Sequence, residues 1–161
     1  MHTYLTWKRY GHIINQIPKD ELEYFYHIAS TIGGITIFPK GDGRTINQEK
    51  GCNHKIKDRI DFTMECIRRY YSGEGSPLSE TFERYSSFFG LFEDFKGYVD
   101  FFLMQDIVDG DYNVRFLCSF DDFNSEPLPN GVEEYMRYKE NSIAFVRNRN
   151  IRIMKWSEEN L

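Results

Sequence analysis

Asn53-His54-Lys55-Ile56-Lys57-Asp58-Arg59-Ile60-Asp61-Phe62-Thr63-Met64-Glu65-Cys66-Ile67-Arg68-Arg69-Tyr70-Tyr71 is the stretch whose reading decides the fold. Ile56, Ile60, Thr63, Ile67 and Tyr70 recur at steps of four, three, four and three, which puts them on one face of a helix. One flank then carries Lys55, Arg59, Phe62 and Cys66, and the far side Asp58, Asp61, Glu65 and Arg68. The pattern predicts a central helix over 53–71 with a buried stripe, a cationic shoulder and a solvated outer face. On that outer face Glu65 is spaced to pair with Arg69 one turn further on.

Upstream, residues 4–15 read as a short helix with Leu5, Trp7, Ile13 and Ile14 available for burial. Pro18 suits the first position of the next helix, and Asp20, Glu21 and Glu23 suit the positive end of its dipole. Leu22, Phe25, Ala29 and Ile32 form its stripe, and Gly33 is placed for a left-handed cap. Ile35 to Phe38 is β-branched and closed by Pro39, so it reads as a strand. A polar loop follows, with a single helical turn over 45–48. Downstream of the central helix, 72–77 is a break, with Ser76 and Pro77 opening a helix whose stripe is Leu78, Phe82, Tyr85 and Phe89. A further helix runs from Phe92 to about Val108, with Gly97 marking a close crossing. Residues 109–111 are a turn, and 112–118 partly alternate, as a partner for 35–38 in a two-stranded β ribbon would. The last helix covers 132–154, turning Tyr138, Phe145 and Val146 inward and gathering Arg147, Arg149, Arg152 and Lys155 at its C-terminal end.

At 161 residues the chain fits one domain, 1–161. Aromatics make up 17%, enough for a core packed largely with Phe and Tyr. Twenty basic residues against 25 acidic ones give a net charge of -5, which argues against a nucleic-acid coat. Cys52, Cys66 and Cys118 are odd in number and share no short spacing, as expected of a reducing compartment, with Cys66 a buried thiol. Neither an apolar leader nor a bilayer-length apolar run is present, so the expected location is cytoplasmic, without membrane insertion.

Several strings carry a resemblance. They are Thr-Ile-Gly-Gly (31–34) with Ile-Phe-Pro (37–39), Thr-Ile-Asn-Gln (45–48) with Gly51, and the long run 55–71. Asp-Phe-Lys-Gly-Tyr-Val-Asp-Phe-Phe-Leu (94–103), Gln-Asp (105–106), Phe-Asp-Asp-Phe (120–123) and Pro-Leu-Pro (127–129) continue it. Over about residues 8–150 the chain resembles a family of small bacterial proteins known as a domain of unknown function. The resemblance implies that members often begin with an N-terminal segment that this chain is expected to lack. The resemblance implies no activity and no cofactor.

Three constellations merit weighing. Arg44, Asn47, Asn53, Lys55 and Arg59, with Asp100 beside them, fit a phosphate or carboxylate site formed by cations at a helix N-terminus. The competing and preferred reading pairs Arg59 with an acid such as Asp100 or Asp106 at the core edge. The carboxylates Asp58, Asp61, Glu65, Asp94, Asp100, Asp106, Asp121 and Asp122 suit a divalent ion only if they converge. For Asp61 and Glu65 a solvated salt-bridge face is the preferred reading. Asp94-Phe95-Lys96 matches half of a metal-nuclease pattern but has helical periodicity. The four histidines, His2, His12, His27 and His54, show no metal or catalytic spacing.

The expected fold is therefore mainly α: about six helices around the 53–71 strut, with the small ribbon. Two functions stay open. One is a non-catalytic interaction or regulatory protein, without cofactor or metal, that meets a protein partner. The other is an enzyme or binder of a small phosphorylated or nucleotide-like anion at Arg44, Asn47, Asn53, Lys55, Arg59 and Asp100.

Overall fold

Seven consecutive residues, Asp61 to Ile67, are buried in the helix that the 53–71 pattern announced. In the computed structural model, which describes residues 10–40, 45–50, 55–123 and 129–160, that helix is α4, Ile60–Tyr71. It begins later than its periodicity predicted. Residues 55–59 are bent rather than helical, and Arg59 is extended (φ -121°, ψ 138°) as the N-cap. The cause is local: the Lys55 N–H bonds back to the Glu49 carbonyl at 2.9 Å, and Lys50 holds Asp58 at 2.7 Å. The Arg59 carbonyl then accepts from the Thr63 N–H and hydroxyl, closing the first turn.

The other end of α4 is set by Gly73. Glu74 N–H reaches the Arg69 carbonyl at 2.8 Å and Gly73 N–H the Tyr70 carbonyl at 3.2 Å, a Schellman closure with Gly73 at φ 71°. A Cβ there meets no neighbour, so only the backbone conformation resists substitution. Gly73→Ala is expected to cost about 1–2 kcal/mol in equilibrium unfolding, the usual penalty for a left-handed L-residue.

The chain divides into two compact units. The central one, Ile37–Phe116 with Phe120–Ser125, contains α3 (Ile46–Lys50), α4, α5 (Ser79–Glu83), α6 (Ser86–Phe89) and α7 (Phe95–Phe101). Here α4 is the strut: Ile67 is fully buried and Ile60 half-buried, and α5 and α7 pack on it. The expected stripe of Leu78, Phe82, Tyr85 and Phe89 is buried. Its helix, however, is interrupted at Arg84–Tyr85, where a three-residue bond from Tyr85 N–H to Phe82 O tightens the turn. The next predicted helix is also broken, because Glu93 and Leu103 take positive φ; Asp94 caps the remaining α7 by accepting from Gly97 N–H at 2.7 Å. Gly97 does permit a close approach, but by the Phe92 carbonyl of the preceding turn. Rings fill the core, with Phe82–Phe89 centroids at 4.8 Å and Tyr98–Phe102 at 4.7 Å.

The terminal unit comprises Met1–Thr36, Leu117–Ser119 and Glu126–Leu161. Its organiser is α8, Val132–Asn160, which continues past the expected end at 154 to Asn160. Helical residues 10–14 (α1) pack Ile13 and Ile14 against Tyr135, and Pro18 stands at the N-cap of α2, Lys19–Ala29. Phe25 meets Tyr138 edge-on, and buried Lys139 pairs with Glu21. Ile32, expected in the α2 stripe, is 60% exposed. Gly33 is not a left-handed cap: it lies in a single 3-10 turn pressed against the Val146 carbonyl and Asn150, where a Cβ has no room.

Among the described residues there is no strand, so the β ribbon is not formed. The Ile35 carbonyl accepts from Arg149 instead. Residues 112–115 turn back on their own neighbours, through one bridge between Val108 and Val114 and an Arg115 N–H to Ile107 carbonyl bond.

Candidate functional site

Along α4 the charges that the sequence placed outside are inside. Asp61 is fully buried and Glu65 is 5% exposed. Each survives burial because a guanidinium reaches it: an isolated carboxylate in the interior is too costly, while a forked Arg pair meets both oxygens. Arg59, itself 4% exposed, donates from Nε to Asp61 Oδ1 at 3.0 Å and from Nη2 to Oδ2. The extended backbone at Arg59 turns its side chain onto the acid two residues later. Glu65 accepts from Arg68 Nε at 2.9 Å and from Arg69 Nε at 2.7 Å, so the expected Glu65–Arg69 pair forms, but within the fold. Arg68 continues to Glu74 at 2.9 Å, and that contact holds the Glu74 carboxyl below its ordinary range.

Aromatic faces cover this ladder. The Arg59 guanidinium lies 4.1 Å from the Phe62 ring centre and that of Arg69 4.9 Å from Phe123. Phe62 in turn meets Phe120 at 5.3 Å, and Phe116 stacks on Phe120 at 4.2 Å. With both acids occupied by arginines, neither stands ready as a general acid or base. Cys66 is equally closed: burial, above all, pushes its thiol up to about 12, so the reactive thiolate is scarce at neutral pH.

A second cluster forms around Asp100. Its carboxylate accepts from Lys96 Nζ at 2.7 Å, Gln105 Nε2 at 3.0 Å and the Tyr112 hydroxyl at 3.1 Å. Lys96, foremost, holds the Asp100 carboxyl below the usual carboxylate range. Gln105 and Tyr112 were not singled out in the sequence. Tyr112 comes to Asp100 only because it takes φ 61° after the Asp109 turn, which nothing in local residue pattern marks.

The six residues of the expected anion site thus fare differently. Arg44 and Asn53 lie outside the described residues, as do Cys52, His2 and His54. Asn47 is exposed on α3. Lys55 is half-buried, 3.7 Å from Glu80. Arg59 is closed by Asp61, and Asp100 faces Lys96. Of the C-terminal cations, Arg149 is buried and donates to the Gly33 and Ile35 carbonyls at 2.9 and 2.8 Å, so it is not part of an open basic patch. The sequence reading placed this residue with the other C-terminal cations, although its spacing of three to seven residues from Ser142, Phe145 and Val146 puts it on the buried side of the helix.

Among the described residues no three of His, Cys, Asp and Glu converge to hold a metal ion, and no helix is long and apolar enough to cross a membrane. A protein-family profile described as a family of unknown function (DUF6994) matches residues 1–153. No curated protein and no solved structure matches the chain.

Proposed function

Since the chain belongs to DUF6994, a family of unknown function, we propose from its own side chains that it is a non-catalytic interaction protein. The observation that carries this reading is the closed edge of α4, where Arg59 at 4% exposure is spent on Asp61 at 0%. With its Nε and Nη2 donors on the Asp61 carboxylate, this arginine acts as a structural tie. Large apolar side chains are exposed on both units, Ile37, Leu91 and Phe101 on the central one and Ile32, Ile35, Ile151, Met154 and Trp156 on the terminal one, which is the kind of surface that meets another protein.

A second reading, a binder of a phosphorylated or nucleotide-like anion, draws on one feature. Asn47 lies on α3 and Lys55 follows it, α3 packs on α5, and the buried Thr81 and Tyr85 hydroxyls have no hydrogen-bond partner among the described residues. Thermal shifts of the full chain with inorganic phosphate, nucleotides, Mg²⁺ and Ca²⁺ separate the two. The interaction reading expects changes within about 1 °C throughout. A saturable rise of about 3 °C or more with phosphate or a nucleotide, lost in Lys55→Ala, overturns it in favour of the binder.

A further inference from the structure

The outer face of α8 is patterned and, among the described residues, exposed. Ala144, Arg147, Ile151, Met154 and Glu158 follow at steps of three, four, three and four, the spacing of a helix–helix seam. All five are exposed, Ile151 at 53% and Met154 at 61%. The buried stripe of α8, through Ser142, Phe145, Val146 and Arg149, lies on the opposite side, so this second stripe does not serve the unit's own core.

The order of residues along the seam is self-complementary. Two apolar side chains sit in the middle, with a cation at one end and an anion at the other. Among the described residues neither Arg147 nor Glu158 has an ion-pair partner. Arg147 is steadied by Tyr24, whose hydroxyl accepts from its Nη2. If two such helices run antiparallel about a two-fold axis between Ile151 and Met154, each Ile151 meets the other copy's Met154. Each Arg147 then meets the other copy's Glu158. A parallel arrangement sets Arg147 against Arg147 and Glu158 against Glu158, which like-charge repulsion disfavours.

We propose that this face of α8 is a self-association surface on which a second copy of the chain docks antiparallel, Ile151 on Met154 and Arg147 on Glu158. The proposal deepens the interaction reading by naming a partner and the residues that select its orientation. A contact of a few helical turns is small, so the dimer is a reversible one whose population depends on concentration.

Sedimentation equilibrium of the full chain tests it. The expected result is a mass rising from 19.2 kDa towards about twice that value with concentration, less steeply at high salt. Arg147→Glu and Glu158→Arg each raise the dissociation constant by about tenfold, and Ile151→Asp by more, with circular dichroism unchanged because all three positions are exposed. The combined R147E/E158R swap restores association to within about threefold of the parent, since the pairs are re-formed with reversed sign. A mass fixed at 19.2 kDa over the accessible concentrations overturns the proposal, and so does a dimer that ignores these substitutions or is not restored by the swap. Failure here is separable from failure of the interaction reading: a monomer with a flat ligand screen removes only the dimer. A dimer stabilised by phosphate removes only the non-catalytic assignment.

Discussion

Arg59→Ala is expected to lower stability by about 3–5 kcal/mol, the cost of leaving a fully buried carboxylate without its counter-charge. Asp61 has no exposure through which water could replace the guanidinium, and its Oδ1 also accepts the Phe62 N–H at 3.1 Å, which ties the acid to the first turn of α4. The Phe62 ring also loses the cation stacked on it. Against a typical total of about 5–15 kcal/mol, such a loss is a large share. Removing both charges in Arg59→Met with Asp61→Asn is expected to recover a substantial part, because the penalty belongs to the widowed acid more than to the missing pair. Urea unfolding of the three proteins checks this. A single variant that stays within about 1 kcal/mol of the parent contradicts the structural role of Arg59.

Arg149→Met is the second large effect, at about 3 kcal/mol. Methionine fills much of the arginine's volume but donates nothing, so two carbonyls lose a charged donor. They are not equivalent. Ile35 is 51% exposed and water can reach its carbonyl, whereas Gly33 is buried under α8 and its carbonyl is left unmet. Gly33 N–H is still held by Asn150 Oδ1 at 2.8 Å, and Asn150 Nδ2 still reaches the Thr31 hydroxyl at 2.7 Å. Residues 31–35 should therefore loosen without leaving α8. Faster amide exchange confined to that segment, together with the loss of stability, is the expected signature; unchanged exchange there counts against the docking role of Arg149.

Much of the architecture was readable from period alone. Leu78, Phe82, Tyr85 and Phe89 were assigned inward by spacing and are buried, and so are Ile67 and Phe25. Residues 72–77 were read as a break, and Gly73 closes α4 there. The errors have a common form. Asp61 and Glu65 fell opposite the apolar stripe and were placed in solvent, yet α4 is covered on more than one side, as Phe62, Met64 and Cys66 outside that stripe hinted. Gly33 was read as a cap when its smallness serves the approach of α8. The segment 35–38 has the composition of a strand, but its first carbonyl is claimed by Arg149, far along the chain.

Apolar periodicity is a property of neighbours in the chain, so the sequence by itself determined that the chain is mainly helical and that Phe25, Ile67, Leu78, Phe82 and Phe89 turn inward, but not where the helices start and break. Whether a charge lies inside depends on a counter-charge arriving at hydrogen-bond distance. That was decided only in three dimensions, by the extended entry of Arg59 into α4 and by the packing that brings Arg149 beneath residues 33–35. The same physics that hides those two arginines leaves Arg147 and Glu158 in solvent, each without an opposite charge among the described residues.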